Sequence, residues 1–163
     1  MKFSIKLLAI ILVIVVAAVA GYFFYQRNLS PVPVEYHNNE YGFSFSLPES
    51  WEGYSIISGK WDGYASGSQG DVSAEQGPLI SIRHPQWTSG NPRQDIPIMI
   101  LTLEQWTDLQ QDKFHIGAAP IGPSELGRNS RYVFALPARY NYAFPTGFEE
   151  VEIILQSKPL KTF

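Results

Sequence analysis

An α+β fold carried behind one membrane-spanning helix is what this sequence predicts, and three observations predict it. Leu7 to Tyr25, LLAIILVIVVAAVAGYFFY, is an uncharged run of 19 residues. Beyond it, short segments such as Phe43-Ser44-Phe45-Ser46-Leu47 alternate apolar and polar side chains, the period-two pattern of a half-buried strand. Two later stretches, Ile96 to Gln111 and Phe148 to Leu155, carry apolar residues at helical spacing.

The leading run comes first. A helix rises about 1.5 Å per residue, so 19 residues reach roughly 28 Å, close to the ~30 Å hydrocarbon core. Tyr22 to Tyr25 stand where an interfacial aromatic belt would lie. Lys2 and Lys6 precede the run and Arg27 follows it, which puts residues 1–6 in the cytoplasm and the rest of the chain outside the cell membrane. Ala18-Val19-Ala20 before Gly21 also fits a signal-peptidase site, but the apolar run continues five residues past it, which favours an uncleaved single-pass anchor over residues 7–25. Either outcome exports the remainder. The chain has no cysteine, so disulfides, thiolate metal sites and a lipidated N-terminal Cys are excluded.

Residues 26–34 read as a linker held extended by Pro31 and Pro33, and residues 35–163 as one domain. Three of the twelve Lys and Arg residues precede Pro31 and none of the fifteen Asp and Glu do, so the domain has nine cations against fifteen anions, net −6. That balance excludes nucleic acid as an expected partner and leaves the membrane, an envelope protein or a cell-wall glycan.

Within the domain, Phe43, Phe45 and Leu47 face one way on a strand that Pro48 stops, since proline cannot donate to a ladder. Tyr54 to Trp61 reads as a second strand, and the Gly/Ser-rich stretch Asp62 to Gly77 as a loop. Pro78 to His84 alternates as a third strand, and Pro85 to Asp95 is turn-rich. Ile98 to Leu101 reads as a strand running into a helix over Leu103 to Gln111, with Thr102 and Gln105 in capping-box positions. Phe114 to Ala118 is a short strand, Pro120 to Pro123 a rigid loop, and Arg131 to Leu136 a strand with Tyr132, Phe134 and Leu136 inward. Thr146, with Glu149 three residues on, is the expected cap of a final helix whose apolar stripe is Phe148, Val151, Ile154 and Leu155.

YGFSFSLPESW (Tyr41 to Trp51) and RYVFALPARY (Arg131 to Tyr140) share Phe-x-Leu-Pro and a following aromatic, while their flanks differ. Duplication would carry the flanks along. The expectation is two strands, each ended by Leu-Pro, with an aromatic folded back over the strand end.

The first of these stretches, with the alternating strand, mid-chain helix and C-terminal Ile154-Leu155-Gln156-Ser157 that follow it, resembles the PsbP-like superfamily over the outline of Tyr36 to Ser157. The resemblance implies an antiparallel sheet with helices on both faces, an α/β/α sandwich. The family is largely non-enzymatic and its partners vary, so no functional residue carries over. Ile116 to Tyr142 does not fit the pattern.

The residues themselves offer three chemistries. A serine hydrolase would use Ser124 with His115 or His84 and Asp95 or Glu125; Gly122-Pro123-Ser124-Glu125-Leu126 lacks the closing glycine of a nucleophile elbow. A metal site would use Asp71 with Glu75, the Glu104, Asp108, Asp112 stripe, or His84 with His115, but none has the spacing of a known site, and an acidic stripe on a helix is ordinarily a solvated face. No metal and no cofactor is therefore expected. Recognition has the strongest claim: Trp87 and Arg93 in one loop, Tyr140, Tyr142 and Phe144 in another, and Arg128, Arg131 and Arg139 around the second. Aromatics on rigid loops give contact area at low entropic cost, and arginines capture carboxylate or phosphate. The expected function is thus a membrane-anchored, non-catalytic binding or assembly module, with a cell-envelope serine hydrolase or an aromatic glycan binder as alternatives.

Overall fold

The computed structural model describes residues 5–28, 33–66, 73–117 and 121–163. The chain divides into two units, Met1–Val32 and Pro33–Phe163. The first contains helix α1, Ile5–Asn28. Its described side chains, Leu12 to Phe23, are exposed on every face. Among the described residues no helix is long and apolar enough to cross a membrane. The linker residues 29–32, Asp71 and residues 118–120 lie outside the described residues.

The second unit is α+β with mainly antiparallel sheets. Its strands are β1 (Val34–Asn38), β2 (Phe43–Leu47), β3 (Ser55–Ala65), β4 (Ser73–Arg83), β5 (Ile96–Thr102), β6 (Phe114–Ile116), β7 (Ser124–Arg128), β8 (Tyr132–Leu136) and β9 (Leu160–Thr162). Helix α2 spans Leu103–Gln110 and α3 spans Phe148–Gln156. Six strands form one sheet in the order β6-β3-β4-β5-β8-β7, and three form a second in the order β1-β2-β9.

Alternation along β5 decides the layering. Ile96, Ile98 and Ile100 point to one face of the large sheet, where they join Ile80, Ile82 and Phe134. Phe43, Phe45 and Leu47 of β2 close on that face together with Val151 and Ile154 of α3. Met99 and Leu101 point to the other face, where Leu109 of α2 meets them beside Trp61, Phe114 and Ala135. The capping box of α2 forms as read: Thr102 Oγ1 accepts from the Gln105 N–H, and the Gln105 side chain accepts from the Thr102 N–H.

Both Leu-Pro stops behave as the sequence suggests. Pro48 ends β2 and Trp51 folds into the core, 1% exposed; after β8 and Pro137, Tyr140 packs half-buried against the same cluster.

The long hairpin corrects the reading of Asp62 to Gly77 as a loop. β3 runs on to Ala65 and β4 begins at Ser73, paired from Ser55↔Arg83 to Tyr64↔Ser73 with a shift at Gly63/Tyr64. Gly63 and Gly77 are strand residues, not loop residues. A Cβ on Gly77 would stand 2.6 Å from three atoms of the Trp61 indole, and one on Gly63 would stand 2.6 Å from the Phe114 ring. These are strand positions over which two stacked rings lie, 6.2 Å apart and 8° from parallel.

The indole does more than cover a glycine. Leu79 pairs with Met99, so the next position sets Pro78 opposite Ile100. Proline has no N–H to give. The Trp61 Nε1–H reaches across from β3 and donates to the Ile100 carbonyl at 2.9 Å, a buried bond.

The cap of α3 is a second correction. Gly147, not Thr146, holds the N-cap position, at φ +84° and with no side-chain cap. Arg93 explains the glycine: its Nη2 lies 3.0 Å from where a Cβ would be. Strands β1, β7 and β9 add to the reading, and β6 stops at Ile116.

Candidate functional site

The two loops singled out from the sequence meet. Residues 84–95 leave β4, and residues 137–147 leave β8. The Gln94 N–H donates to the Thr146 carbonyl at 2.9 Å, and Gln94 Nε2 donates to the carbonyls of Asp95 (2.7 Å) and Tyr140 (3.3 Å). Arg93 lies along the seam, with Nη2 to Glu150 at 3.2 Å and Nη1 to Gln86 at 3.3 Å. Glu150 Oε1 in turn accepts from Ser50 Oγ at 2.7 Å and Trp51 Nε1 at 3.2 Å. One carboxylate at the first turn of α3 therefore ties together three segments. Arg93 Nε and Gln94 Oε1 are buried here without a hydrogen-bond partner.

Arg93 is thus a structural clasp rather than a free ligand for an anion. Trp87 has a comparable duty: the Arg83 guanidinium sits 3.9 Å from the centre of its ring and is itself held by Asp95 through bonds of 2.8 and 3.1 Å. His84 is 3% exposed, at 5.0 Å from the Trp51 ring, and its Nδ1 accepts the Gln86 N–H at 3.1 Å, which leaves the ring proton on Nε2. Burial, and then the positive Arg93 nearby, hold the His84 imidazole below its ordinary pKa.

The second loop presents what the first does not. Tyr142 is 76% exposed and Phe144 is 67% exposed. Arg139 at φ +55° and Phe144 at φ +46° are non-glycine residues in left-handed backbone, flanking Tyr142. Such conformations cost about 1–3 kcal/mol each and persist where surrounding structure imposes them. Hydrogen bonds Tyr142 N–H to Arg139 O and Phe144 N–H to Asn141 O, both 2.9 Å, fix the loop, and Phe148 backs Phe144 edge-on at 5.2 Å. Burial raises the Tyr140 phenol above its usual range, so it stays protonated and belongs to the core.

The arginines do not gather. Arg128 is paired with Glu125 on β7, which keeps the Glu125 carboxyl below its usual range, and Arg131 lies over the Tyr132 ring at the start of β8. Arg139 follows the far end of that strand. Their closeness in sequence is undone by the length of β8.

The hydrolase grouping is not assembled either. Ser124 starts β7 and His115 lies on β6, the two outermost strands of the sheet, and both side chains are exposed with no hydrogen bond between them. His84 is enclosed beside Trp51, and Asp95 is spent on Arg83. Among the described residues no three His, Asp or Glu side chains converge on a metal position. Glu75 accepts from Gln105, and Asp108 binds Lys113 at 2.6 Å.

Sequence reasoning missed Arg83, Asp95, Glu150 and Trp51 as parts of this seam. Their partners lie up to a hundred residues away, and nothing local signals them.

Compared with family models, curated proteins and solved structures, the chain matches none.

Proposed function

We propose that this protein is a single-pass membrane protein that holds one α+β domain outside the cytoplasmic membrane as a non-catalytic binding or assembly module. The observation that carries the reading is the outward ring of apolar side chains on α1: every described residue from Leu12 to Phe23 is exposed, all around the helix. Water is a poor solvent for such a surface, and lipid a good one. As a helix, the uncharged run of 19 residues from Leu7 to Tyr25 would rise about 28 Å at 1.5 Å per residue, close to the ~30 Å core. The lysines before the run favour a cytoplasmic N-terminus.

Recognition is supported by the 137–147 loop, whose exposed rings are held on strained, hydrogen-bonded backbone at the edge of a rigid seam. The partner that suits such rings is an envelope protein. The large sheet carries α2 on one face and, on the other, α3 together with the small sheet β1-β2-β9. It thus departs from a plain α/β/α sandwich while keeping the antiparallel α+β plan that the PsbP-like resemblance implies.

The absence of cysteine gives a clean test. Asn91→Cys, at an exposed loop position, should be labelled by a membrane-impermeant maleimide in intact cells, and the chain should stay with the membrane after alkaline carbonate extraction. A photocrosslinking residue at Tyr142 should give a discrete protein adduct. Labelling of Asn91→Cys only after permeabilisation refutes the topology; a crosslinking pattern at Tyr142 no different from that at Asn91 refutes the recognition surface.

A further inference from the structure

A cleft of about 340 Å³ opens between the β1–β2 turn and the β3–β4 hairpin, and it uses none of the loop residues above. Its floor is apolar, made by Ile56, Ile80 and Pro78. Tyr36, Asn38, Glu40 and Tyr41 form its wall, and Ser58 stands cross-strand from Ile80 on the same sheet face as the floor. The hydrogen bonds in that wall leave a definite set of unused valences. Asn38 is held at both ends: Nδ2 donates to the Tyr36 hydroxyl at 2.7 Å, and Oδ1 accepts the Tyr41 N–H at 2.9 Å, which leaves its second N–H to donate. The Tyr36 oxygen is thereby an acceptor toward Asn38, and its own proton is left to donate. Glu40 is exposed and brings acceptor oxygens; exposed Ser58 offers both a donor and an acceptor.

The wall is also rigid before any ligand arrives. The Tyr36 ring is held edge-on by Phe43 at 5.8 Å and Tyr54 at 6.0 Å, and the Tyr41 ring by Tyr132 at 5.5 Å. Burial, and the Glu40 carboxylate beside it, push the Tyr41 phenol above its usual range, so it remains protonated. Preorganised aromatic walls spare a ligand the cost of ordering them.

We infer that this cleft is a binding site for a neutral sugar ring, the C–H face resting on Ile56, Ile80 and Pro78 and adjacent hydroxyls shared between the Tyr36 donor, the Glu40 acceptor and Ser58. An anion is disfavoured because no cation lines the cleft and Glu40 does. The inference goes beyond the membrane-anchored reading and does not depend on it, since the cleft is built within Pro33–Phe163.

The test uses the full chain, ¹⁵N-labelled, in micelles of lauryldimethylamine oxide, a detergent without a sugar headgroup. Chitotetraose and maltotetraose are titrated separately, with choline chloride as the cationic competitor. The expected result is saturable shifts of the Tyr36, Asn38, Tyr41 and Ser58 amides with at least one sugar, at a dissociation constant in the millimolar range. Ser58→Trp, made at an exposed position cross-strand from Ile80, fills the cleft and should weaken binding about tenfold or more while the rest of the spectrum is unchanged, a loss of about 1.4 kcal/mol. Glu40→Gln, which keeps an acceptor oxygen, should weaken it less. No shift with either sugar, shifts confined to other residues, equal binding by Ser58→Trp, or the same shifts from choline at lower concentration would each overturn the inference.

Discussion

Replacing Trp61 by Phe tests the reason for an indole in β3. The ring would still cover Gly77 and stack on Phe114, but the donor to the Ile100 carbonyl is gone. That carbonyl is buried and faces Pro78, so nothing in the ladder replaces the bond. An unsatisfied buried acceptor costs about 1–3 kcal/mol. For a domain of this size each kcal/mol lowers the melting temperature by about 3–5 °C, so a loss of about 3–15 °C is expected. The sharper measurement is a double-mutant cycle with Pro78→Ala, followed by thermal melting in the near-ultraviolet circular dichroism band. Alanine restores an N–H opposite Ile100, and Trp61→Phe should then cost at least about 1 kcal/mol less than it does in the native background. An equal cost in both backgrounds would show that the indole proton is not standing in for the proline.

Two further perturbations follow from the seam. The buried His84 takes up a proton less readily folded than unfolded, so its contribution to stability is full above the unfolded imidazole value of about 6.5 and declines as pH falls from there toward the folded value, by at most about 1.4 kcal/mol per pH unit. Urea midpoints measured across that window should fall in the native chain and stay flatter in His84→Asn; identical slopes would dismiss the assignment. Glu150→Ala removes the acceptor shared by Ser50, Trp51 and Arg93 and should cost about 2 kcal/mol by thermal melting, whereas Glu149→Ala, at the exposed neighbour, should stay within about 0.5 kcal/mol. Equal effects would mean that the carboxylate network holds nothing.

The parts of the fold legible in the sequence are those whose causes are local. The alternation of Phe43 to Leu47, the proline stops and the Thr102–Gln105 capping box are all contained within a few residues, and each formed where expected. The distal half of the β3–β4 hairpin was hidden because Gly63 and Gly77 resemble loop punctuation, while their reason is the two rings that lie over them. The α3 cap slipped by one residue for a similar reason, Arg93 occupying the space beside Gly147. β7 is a half-exposed edge strand whose irregularity between Glu125 and Gly127 breaks any period, and β9, with three residues, is too short to show one. At the candidate site, the two loops and the exposure of Tyr142 and Phe144 could be anticipated from composition. The duties of Arg93 and Trp87 could not, because Glu150 and the Arg83–Asp95 pair reach them only through the folded seam.

One pairing also bears on how such a chain must be made. β2 lies between β1 and β9, and Phe45 is matched to Leu160, so its second edge stays open until nearly the whole domain has been synthesised. Contacts this distant form late. During that delay Phe43, Phe45 and Leu47 have no lid on one flank, an apolar surface beside an unpaired strand edge. The hazard set by this order is that the open edge pairs with another chain before its own last strand arrives.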